Sequence, residues 1–237
     1  MVESFFDLNQ LRIIAAIAML GYASYTDVTK REISDYVWIV FGALSVVLLF
    51  LESQFLESQF WEALTNVGIS LIVAPIVLII WRLGMFGGAD AFAIIVLALL
   101  VPQITMSENT ITPFTILTNA VIISIIPFFV NLVRNLIAIV NHNDIFEGFS
   151  ETRKKRIIAL FIGYKAKNPK YSFSIEKKVG KHKKLNLVMH HAEYAEFCEK
   201  PNTWVTPGIP YMLFITAGFL IQLFYGDIIF SFFGLGI

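Results

Sequence analysis

Two aspartates of the chain stand at the ends of apolar stretches rather than within polar loops. Asp27 closes one apolar run, and Asp90 follows the glycine-rich residues 84–89 and opens another. Ionisable side chains at the edge of a membrane-length apolar segment are costly to bury and are usually functional. Two carboxyl groups a few ångströms apart share one proton, so one can activate a water while the other hydrogen-bonds a carbonyl. The pair therefore indicates acid–base hydrolysis of an amide bond.

The helices that these aspartates would join predict different protonation states for them. Asp90 at a positive helix N-terminus is favoured as the carboxylate, and Asp27 at a negative C-terminus as the acid. Gly87 and Gly88 permit positive φ and a close backbone approach, and an irregular loop at membrane depth must be buried in protein or line a wet cavity. The alternative is that each aspartate only caps or ends a helix at the interface, since Asp is a good N-cap.

The composition excludes several classes of protein. Of the 237 residues, 57% are hydrophobic and 15% are charged. Soluble domains are about a quarter charged, so a water-soluble globule and a disordered chain are both excluded. The single cysteine, Cys198, excludes a disulfide framework and a multi-cysteine zinc module. The net charge of zero gives no indication of nucleic-acid binding.

Six apolar segments approach the length of about 20 residues that a membrane-spanning helix needs. They are residues 11–25, 37–51, 60–81, 90–106, 116–140 and 208–233. The sequence thus predicts an all-α polytopic membrane protein with six transmembrane helices. Its organisation would be residues 1–140 for helices 1 to 5, residues 141–207 for a small basic soluble domain, and residues 208–237 for helix 6.

The segments between these helices carry further predictions. Residues 157–164 and 171–175 are rich in β-branched and aromatic side chains and are expected to pair as antiparallel strands. Residues 190–198 are expected to form a short helix. The pentapeptide LESQF, present twice in residues 51–60, indicates a local insertion in an outer loop. The four histidines do not form the H-E-x-x-H pattern, so we expect neither a metal nor a cofactor.

The basic residues are distributed unevenly over the predicted arrangement. Every Lys and Arg except Arg12 lies in, or close to, the segments on one side of the six helices. Cytoplasmic segments of membrane proteins carry this excess. We therefore expect a multi-pass protein of the cytoplasmic membrane with both termini outside, residues 141–207 inside, and Asp27 and Asp90 at the cytoplasmic face. Arg12 is expected to extend its side chain to the outer interface.

Three sequence motifs resemble those of archaeal preflagellin and type IV prepilin peptidases. The segment DVTKREISDYVW at residues 27–38 resembles their first-aspartate region. The segment GGAD at residues 87–90 resembles their G-x-G-D signature, with alanine in the third position, and WVTPGIP at residues 204–210 resembles a feature of the archaeal branch. With six apolar segments and a late soluble block, the resemblance extends over most of the chain.

The resemblance implies a membrane-embedded aspartic endopeptidase that cleaves short, basic class III signal peptides at the cytoplasmic face. Asp27 and Asp90 would be catalytic, Gly87, Gly88 and Ala89 would form the active-site loop, and the partners would be preflagellin or prepilin precursors. Bacterial members usually add a methyltransferase activity and a cysteine-rich zinc segment. With one cysteine, this chain resembles the archaeal, cleavage-only form.

A basic leader would be helped by an acidic docking surface. Glu32, Asp35 and Asp144, together with Glu147 and Glu151, are the cytoplasmic acids nearest the second and fifth helices. The alternative is that these are ordinary solvated loop charges, which contribute little to binding.

Rival functions are also open to this sequence. A small ion- or proton-coupled transporter could use Asp27 and Asp90 as ion sites, although such acids are expected near mid-span. A non-catalytic subunit of a surface filament is a further alternative. No G-x-S-x-G segment occurs, which argues against a serine protease. Presenilin-type proteases have Tyr directly before the first aspartate, whereas Thr26 stands there in this chain.

Overall fold

The computed structural model describes residues 8–55, 57–102, 112–141, 144–180, 182–187 and 195–233. The described chain divides into two compact units. The first comprises the residues up to Ser124 together with those from Pro210 onwards, and the second is Ile125–Ile209. The candidate chemistry of Asp27 and Asp90 belongs wholly to the first unit.

The described secondary structure is mostly helical. The helices are α1 (Leu8–Lys30), α2 (Tyr36–Phe55), α3 (Glu57–Ser70), α4 (Val73–Arg82), α5 (Gly88–Leu100), α6 (Thr112–Ile123), α7 (Ile126–Val140), α8 (Arg153–Ile162), α9 (Tyr211–Phe224) and α10 (Ile228–Phe232). The strands are β1 (Tyr164–Ala166), β2 (Ser172–Ser174), β3 (Glu176–Val179), β4 (His182–Leu185) and β5 (Thr203–Pro207). The duplicated LESQF segment, expected in a loop, is helical in its described part.

Three helical stretches of the described chain are long and apolar enough to cross a membrane. They are Leu8–Lys30, Phe60–Arg82 and Pro113–Val140. Three further apolar helices, Tyr36–Glu52, Gly88–Leu100 and Tyr211–Phe224, are shorter. Each of the six predicted segments overlaps one of these stretches, but only three of them reach full spanning length.

Several helix boundaries differ from the predicted ones because of proline and glycine. The stretch 60–81 is interrupted between α3 and α4, four residues before Pro75, and the stretch 116–140 is interrupted between α6 and α7, ahead of Pro127. A proline ring clashes with the carbonyl four residues earlier and breaks the helix there. The last apolar segment is split at Gly226, whose φ is +91°.

The core of the first unit includes fully buried side chains on α1 and α5. On α1, Ala16, Met19, Leu20 and Ala23 are fully buried, and their spacing of three, four and seven residues places them on one helix face. The opposing residues of α5 include Ala91, Ile94, Leu97 and Ala98, which are also fully buried. Small residues let helix backbones approach closely, so α1, α5 and α9 form one packed group.

Arg12 does not extend to an outer interface as expected. It is 1% exposed, and its guanidinium lies 2.9 Å from the Glu52 carboxylate. It also donates a hydrogen bond of 3.1 Å to the carbonyl of Leu100 at the end of α5. Because a neighbouring acid and free helix carbonyls satisfy the charge inside the protein, the side chain has no need to reach solvent.

The second unit contains a three-stranded antiparallel sheet of order β1-β5-β2 and the hairpin β3-β4. The predicted pairing of residues 157–164 with 171–175 is wrong, because β1 and β2 each pair with β5. Residues 157–162 are helical, and Thr152 caps that helix by accepting a hydrogen bond from the Lys155 amide. Of the predicted helix 190–198, the described residues 195–198 are not helical.

Candidate active site

Asp90 lies in the first turn of α5 and is buried, with 8% of its surface exposed. Its Oδ2 atom accepts a hydrogen bond of 3.0 Å from the backbone amide of Gly87. The carboxylate therefore satisfies one of the amide groups that a helix N-terminus leaves without a partner. The capping role considered for Asp90 from the sequence takes a different form, because Gly87 is the N-cap residue and Asp90 is the third residue of α5.

Asp27 lies within α1, because that helix continues to Lys30 instead of ending at the aspartate as predicted. Its Oδ2 atom accepts a hydrogen bond of 3.2 Å from the backbone amide of Met212, in the first turn of α9. The charge of Arg31, four residues further along, also interacts with the Asp27 carboxylate. The aspartate thus caps a helix far away in the sequence.

This contact changes the dipole argument for the two acids. The sequence places Asp27 at the negative end of its own helix, but in the structure its carboxylate meets the positive N-terminus of α9. Asp90 likewise sits at the N-terminus of α5. Both carboxylates are therefore next to a helix end that favours negative charge, and helix dipoles do not separate the acid from the base.

The structure places the two aspartates on helices that contact one another. The three helices that carry or cap them, α1, α5 and α9, contact one another, and the charges of Asp27 and Asp90 interact electrostatically. The hydrogen bonds described above use one oxygen of each carboxylate. A carboxylate has two oxygens with about four acceptor sites, so capping a helix and taking part in acid–base chemistry are compatible.

Gly87 and Gly88, directly before Asp90, are distinguished by close contacts and not by unusual backbone angles. Gly87 is extended, with φ −75° and ψ 162°, and Gly88 begins α5. The predicted positive φ is found instead at Gly84, at +73°. A Cβ atom on Gly88 would lie 3.2 Å from the indole ring of Trp81, whereas one on Gly87 would lie 3.5 Å from Asp90 Oδ2. Gly88 is needed for this close approach, and Ala89, next to it, packs against the core.

Tyr211 is a site residue that the sequence reasoning missed. Its ring stacks on Phe86 of the glycine-rich loop, with ring centroids 5.6 Å apart and planes inclined by 12°. Its hydroxyl shares a hydrogen bond with Ser124 and lies close enough to Asp90 for an electrostatic interaction. The position follows the WVTPGIP motif and precedes the residue that binds Asp27, which is the signal that could have identified it.

A second group of missed residues joins α1 to α9 beside Asp27. The hydroxyls of Ser24 and Thr216 are 2.7 Å apart, and Ser24 also donates to the carbonyl of Met212. Ser24 lies three residues before Asp27, so it shares a helix face with the aspartate. These contacts hold the N-terminus of α9 against the Asp27 carboxylate.

The acids proposed for substrate docking have different environments. Glu32 and Asp35 are exposed in the connection between α1 and α2 of the first unit, and Asp144 is exposed in the second unit. Glu147 is exposed as well. Glu151 instead accepts a hydrogen bond of 2.7 Å from the Leu185 amide and pairs with Lys155. Glu151 is therefore engaged in holding the second unit together.

The described residues contain no group of three His, Cys, Asp or Glu side chains that could hold a metal ion. His182 lies in β4, while His142, His190 and His191 are outside the described residues.

The chain matches two protein-family models that together cover most of its length. Residues 14–130 match the type IV leader peptidase family, and residues 134–228 match the archaeal peptidase A24 C-terminus, type II. Similar proteins include the preflagellin peptidase of Methanocaldococcus jannaschii, 27% identical over 91% of this chain and 93% of the relative. The preflagellin peptidase of Methanococcus maripaludis is 27% identical over 93% and 96%, and that of Methanococcus voltae is 24% identical over 92% and 97%.

Proposed function

Since the chain belongs to the type IV leader peptidase family, we propose that this peptidase uses Asp27 and Asp90 to remove short basic leader peptides from preflagellins or prepilins. The observation that carries the proposal is that α1 and α5, which carry the two aspartates, belong to one packed group of helices and that the charges of Asp27 and Asp90 interact. The names of the similar proteins support the substrate class.

The proposed chemistry needs one proton shared between the two acids. The ionised aspartate removes a proton from a water molecule as the water oxygen bonds to the scissile carbonyl carbon. The protonated aspartate donates its proton to the carbonyl oxygen, forming a tetrahedral gem-diol. The diol then collapses as one carboxylate takes back a hydroxyl proton and the other acid protonates the leaving nitrogen, so the C–N bond breaks and water is consumed.

The geometry supports a fixed position for this pair. Each carboxylate is held by a backbone amide of a helix N-terminus, Asp90 by Gly87 and Asp27 by Met212. Backbone donors do not change rotamer, so they hold the reactive oxygens more rigidly than side chains would. The stacked rings of Phe86 and Tyr211 join the loop before Asp90 to the N-terminus of α9. This contact would keep the backbone amides of Gly87 and Met212 in a fixed position relative to each other.

We further propose that the protein crosses the membrane six times, with the dyad near the cytoplasmic face. The shorter apolar helices support a thin or wet region near the site, since the 13 residues of α5 extend only about 20 Å and a bilayer core is about 30 Å thick. Water would then reach the dyad through local thinning of the bilayer. The distribution of Lys and Arg supports the orientation.

Glu32, Asp35 and Asp144 are proposed to attract the basic leader. All three are exposed, and exposed opposite charges steer encounter more than they add affinity. Neutralising all three should therefore slow processing of a basic leader at low salt. If the rate is unchanged at low salt, these acids are only solvated loop charges.

The decisive experiment is co-expression with a preflagellin-like precursor that carries a basic leader. Asp27→Asn and Asp90→Asn should each abolish the mobility shift of the precursor while leaving the enzyme in the membrane. Asp227→Asn is the matched control, because Asp227 is also a buried aspartate that caps a helix, α10, without belonging to the site. Normal processing by either dyad variant would refute the dyad.

A further inference from the structure

A second buried polar cluster lies at the opposite end of the α1–α5 pair from the aspartates. Arg12 of α1 is paired with Glu52 of α2 at 2.9 Å. The same guanidinium contacts the carbonyls of Leu100 at 3.1 Å and Leu99 at 3.5 Å. The Arg12 side chain is 2% exposed and that of Glu52 is 16% exposed. One arginine therefore joins three helices, and it also binds carbonyls at the C-terminus of the helix whose N-terminus carries Asp90.

The spacing along the two helices connects this cluster to the dyad. From Arg12 to Asp27 the chain rises about 22 Å along α1, and from Asp90 to Leu100 about 15 Å along α5, at about 1.5 Å per residue. The long Arg12 side chain covers the remaining distance to the end of α5. The two contacts therefore bracket the α1–α5 interface, with Arg12 at one end and Asp27 beside Asp90 at the other.

The interface between these contacts combines small and large apolar side chains. Its buried residues include Ala16 and Ala23 on α1 and Ala91 and Ala98 on α5, all fully buried. These alanines let the two backbones approach closely. The larger side chains of Met19, Leu20, Ile94 and Leu97 are also fully buried in this core and interlock around them. A slip by one helical turn moves a residue about 5.4 Å, which would separate the two carboxyl groups.

We propose that Arg12, with Glu52, is a positioning residue that sets the axial register of α1 against α5 and so holds Asp27 opposite Asp90. The proposal rests on the function proposed above. A buried ion pair usually adds little stability compared with apolar residues of similar size, whereas a buried polar contact can specify register. Arg12 itself lies outside the residues that match the family model, 14–130.

The test uses the full-length enzyme with Arg12→Met and Glu52→Met combined. Removing both charges leaves no unpaired buried ion, so the variant is expected to insert and fold. We expect kcat per folded enzyme to fall at least about tenfold with KM within about twofold, because a 1 Å misplacement of reacting groups can cost on the order of 100-fold. Thr118→Val is the control, since it removes a partly buried hydrogen bond from α6 to Asp227, the N-cap residue of α10, that touches neither α1 nor α5.

A distance measurement makes the test independent of catalysis. Spin labels at Tyr25→Cys on α1 and Phe92→Cys on α5, in a Cys198→Ser background, occupy exposed positions. The double methionine change should shift or broaden the distance distribution by several ångströms, about one helical turn at most. The Thr118→Val control should leave both kcat and the distribution unchanged.

Each outcome decides between the two proposals. An unchanged distance distribution, or full kcat per folded enzyme, would overturn the positioning role and leave the pair a structural contact. If the unmodified enzyme does not cleave the precursor but the distribution still shifts, the proposed function fails and the register role stands. Should the double variant not accumulate in the membrane, Arg12→Lys keeps the charge but loses the planar fork; it is expected to lower kcat with KM unchanged, and an unchanged kcat would overturn the proposal.

Discussion

The two ends of the α1–α5 pair are held by opposite kinds of polar contact. At one end Arg12 and Glu52 carry opposite charges and form an ion pair. At the other end Asp27 and Asp90 carry like charges that interact. Opposite charges are most stable when neither group changes its protonation, whereas two neighbouring carboxylates reduce their repulsion by taking up one proton. The first end is suited to fixing a structure, and the second to exchanging protons.

The largest expected effect is a loss of catalytic rate when either residue of the aspartate end is changed. Asp27→Asn and Asp90→Asn should each lower kcat by at least about 100-fold, because general acid–base catalysis contributes about 10²–10⁴. The temperature at which half of each variant is unfolded in detergent should not fall. The side-chain oxygen of asparagine still accepts the hydrogen bond from the backbone amide at the helix N-terminus, and the repulsion between two carboxylates is removed. A cleavage assay and a melting curve on the same preparation measure both. A large loss of thermal stability with retained activity would show that the aspartates stabilise the structure and do not carry the catalysis.

The pH dependence of cleavage should also report the aspartate end alone. A pair that works with one proton is inactive when both acids are protonated and when both are ionised, so kcat/KM should fall on both sides of a maximum. The measurement is a pH–rate profile between pH 4 and about 8. A flat profile over this range would contradict a shared proton.

At the arginine end, a single change should affect stability before it affects chemistry. Arg12→Met leaves the Glu52 carboxylate without its partner, and breaking one side of a buried pair costs about 3 kcal/mol. The double change to methionine should recover most of that loss in the free energy of unfolding. Denaturant titration of both variants tests this, and equal stability of the single and double variants would show that Glu52 is not held by Arg12.

The glycine loop gives a smaller and more local contrast. Gly88→Ala forces Trp81 to move, because the new methyl group would lie 3.2 Å from its ring, and such overpacking costs about 1–3 kcal/mol. In Gly87→Ala the new methyl group would lie at an ordinary contact distance of 3.5 Å from Asp90 Oδ2, and the φ of −75° is one that alanine readily adopts. Thermal melting and cleavage rates of the two variants should therefore differ, with Gly88→Ala the weaker enzyme. The reverse order would refute the role given to Trp81.

The smallest effect is expected at Tyr211. Tyr211→Leu removes the stacking on Phe86, which is worth about 1 kcal/mol beyond burial, and should lower kcat by a few-fold as the loop before Asp90 loosens. Tyr211→Phe keeps the ring and should retain more activity than Tyr211→Leu. Cleavage rates of the two variants provide the comparison. Equal rates would show that the ring stacking does not help to hold Asp90.

The local features of the site could be predicted from the sequence. The apolar segments, the polar residues at their ends and the glycines before Asp90 follow from periodicity and residue type, which act over one or two helical turns. The family resemblance is confirmed by the two family models. The positions of helix ends were less predictable, because Pro75 and Pro127 interrupt segments that hydropathy alone treats as continuous. The strand pairing failed because β5 is distant in the sequence and lies between β1 and β2.

The sequence by itself determined which residues are available for chemistry and which segments are apolar enough to be buried. It did not determine that the Asp27 carboxylate caps α9, or that Arg12 binds Glu52 and the end of α5. The pentapeptide LESQF occurs twice, so its composition alone cannot tell which copy supplies the acid for Arg12. Periodicity defines the face of a single helix, whereas the register between two helices depends on contacts between residues 88 or 185 positions apart, and only the packed tertiary structure supplies these.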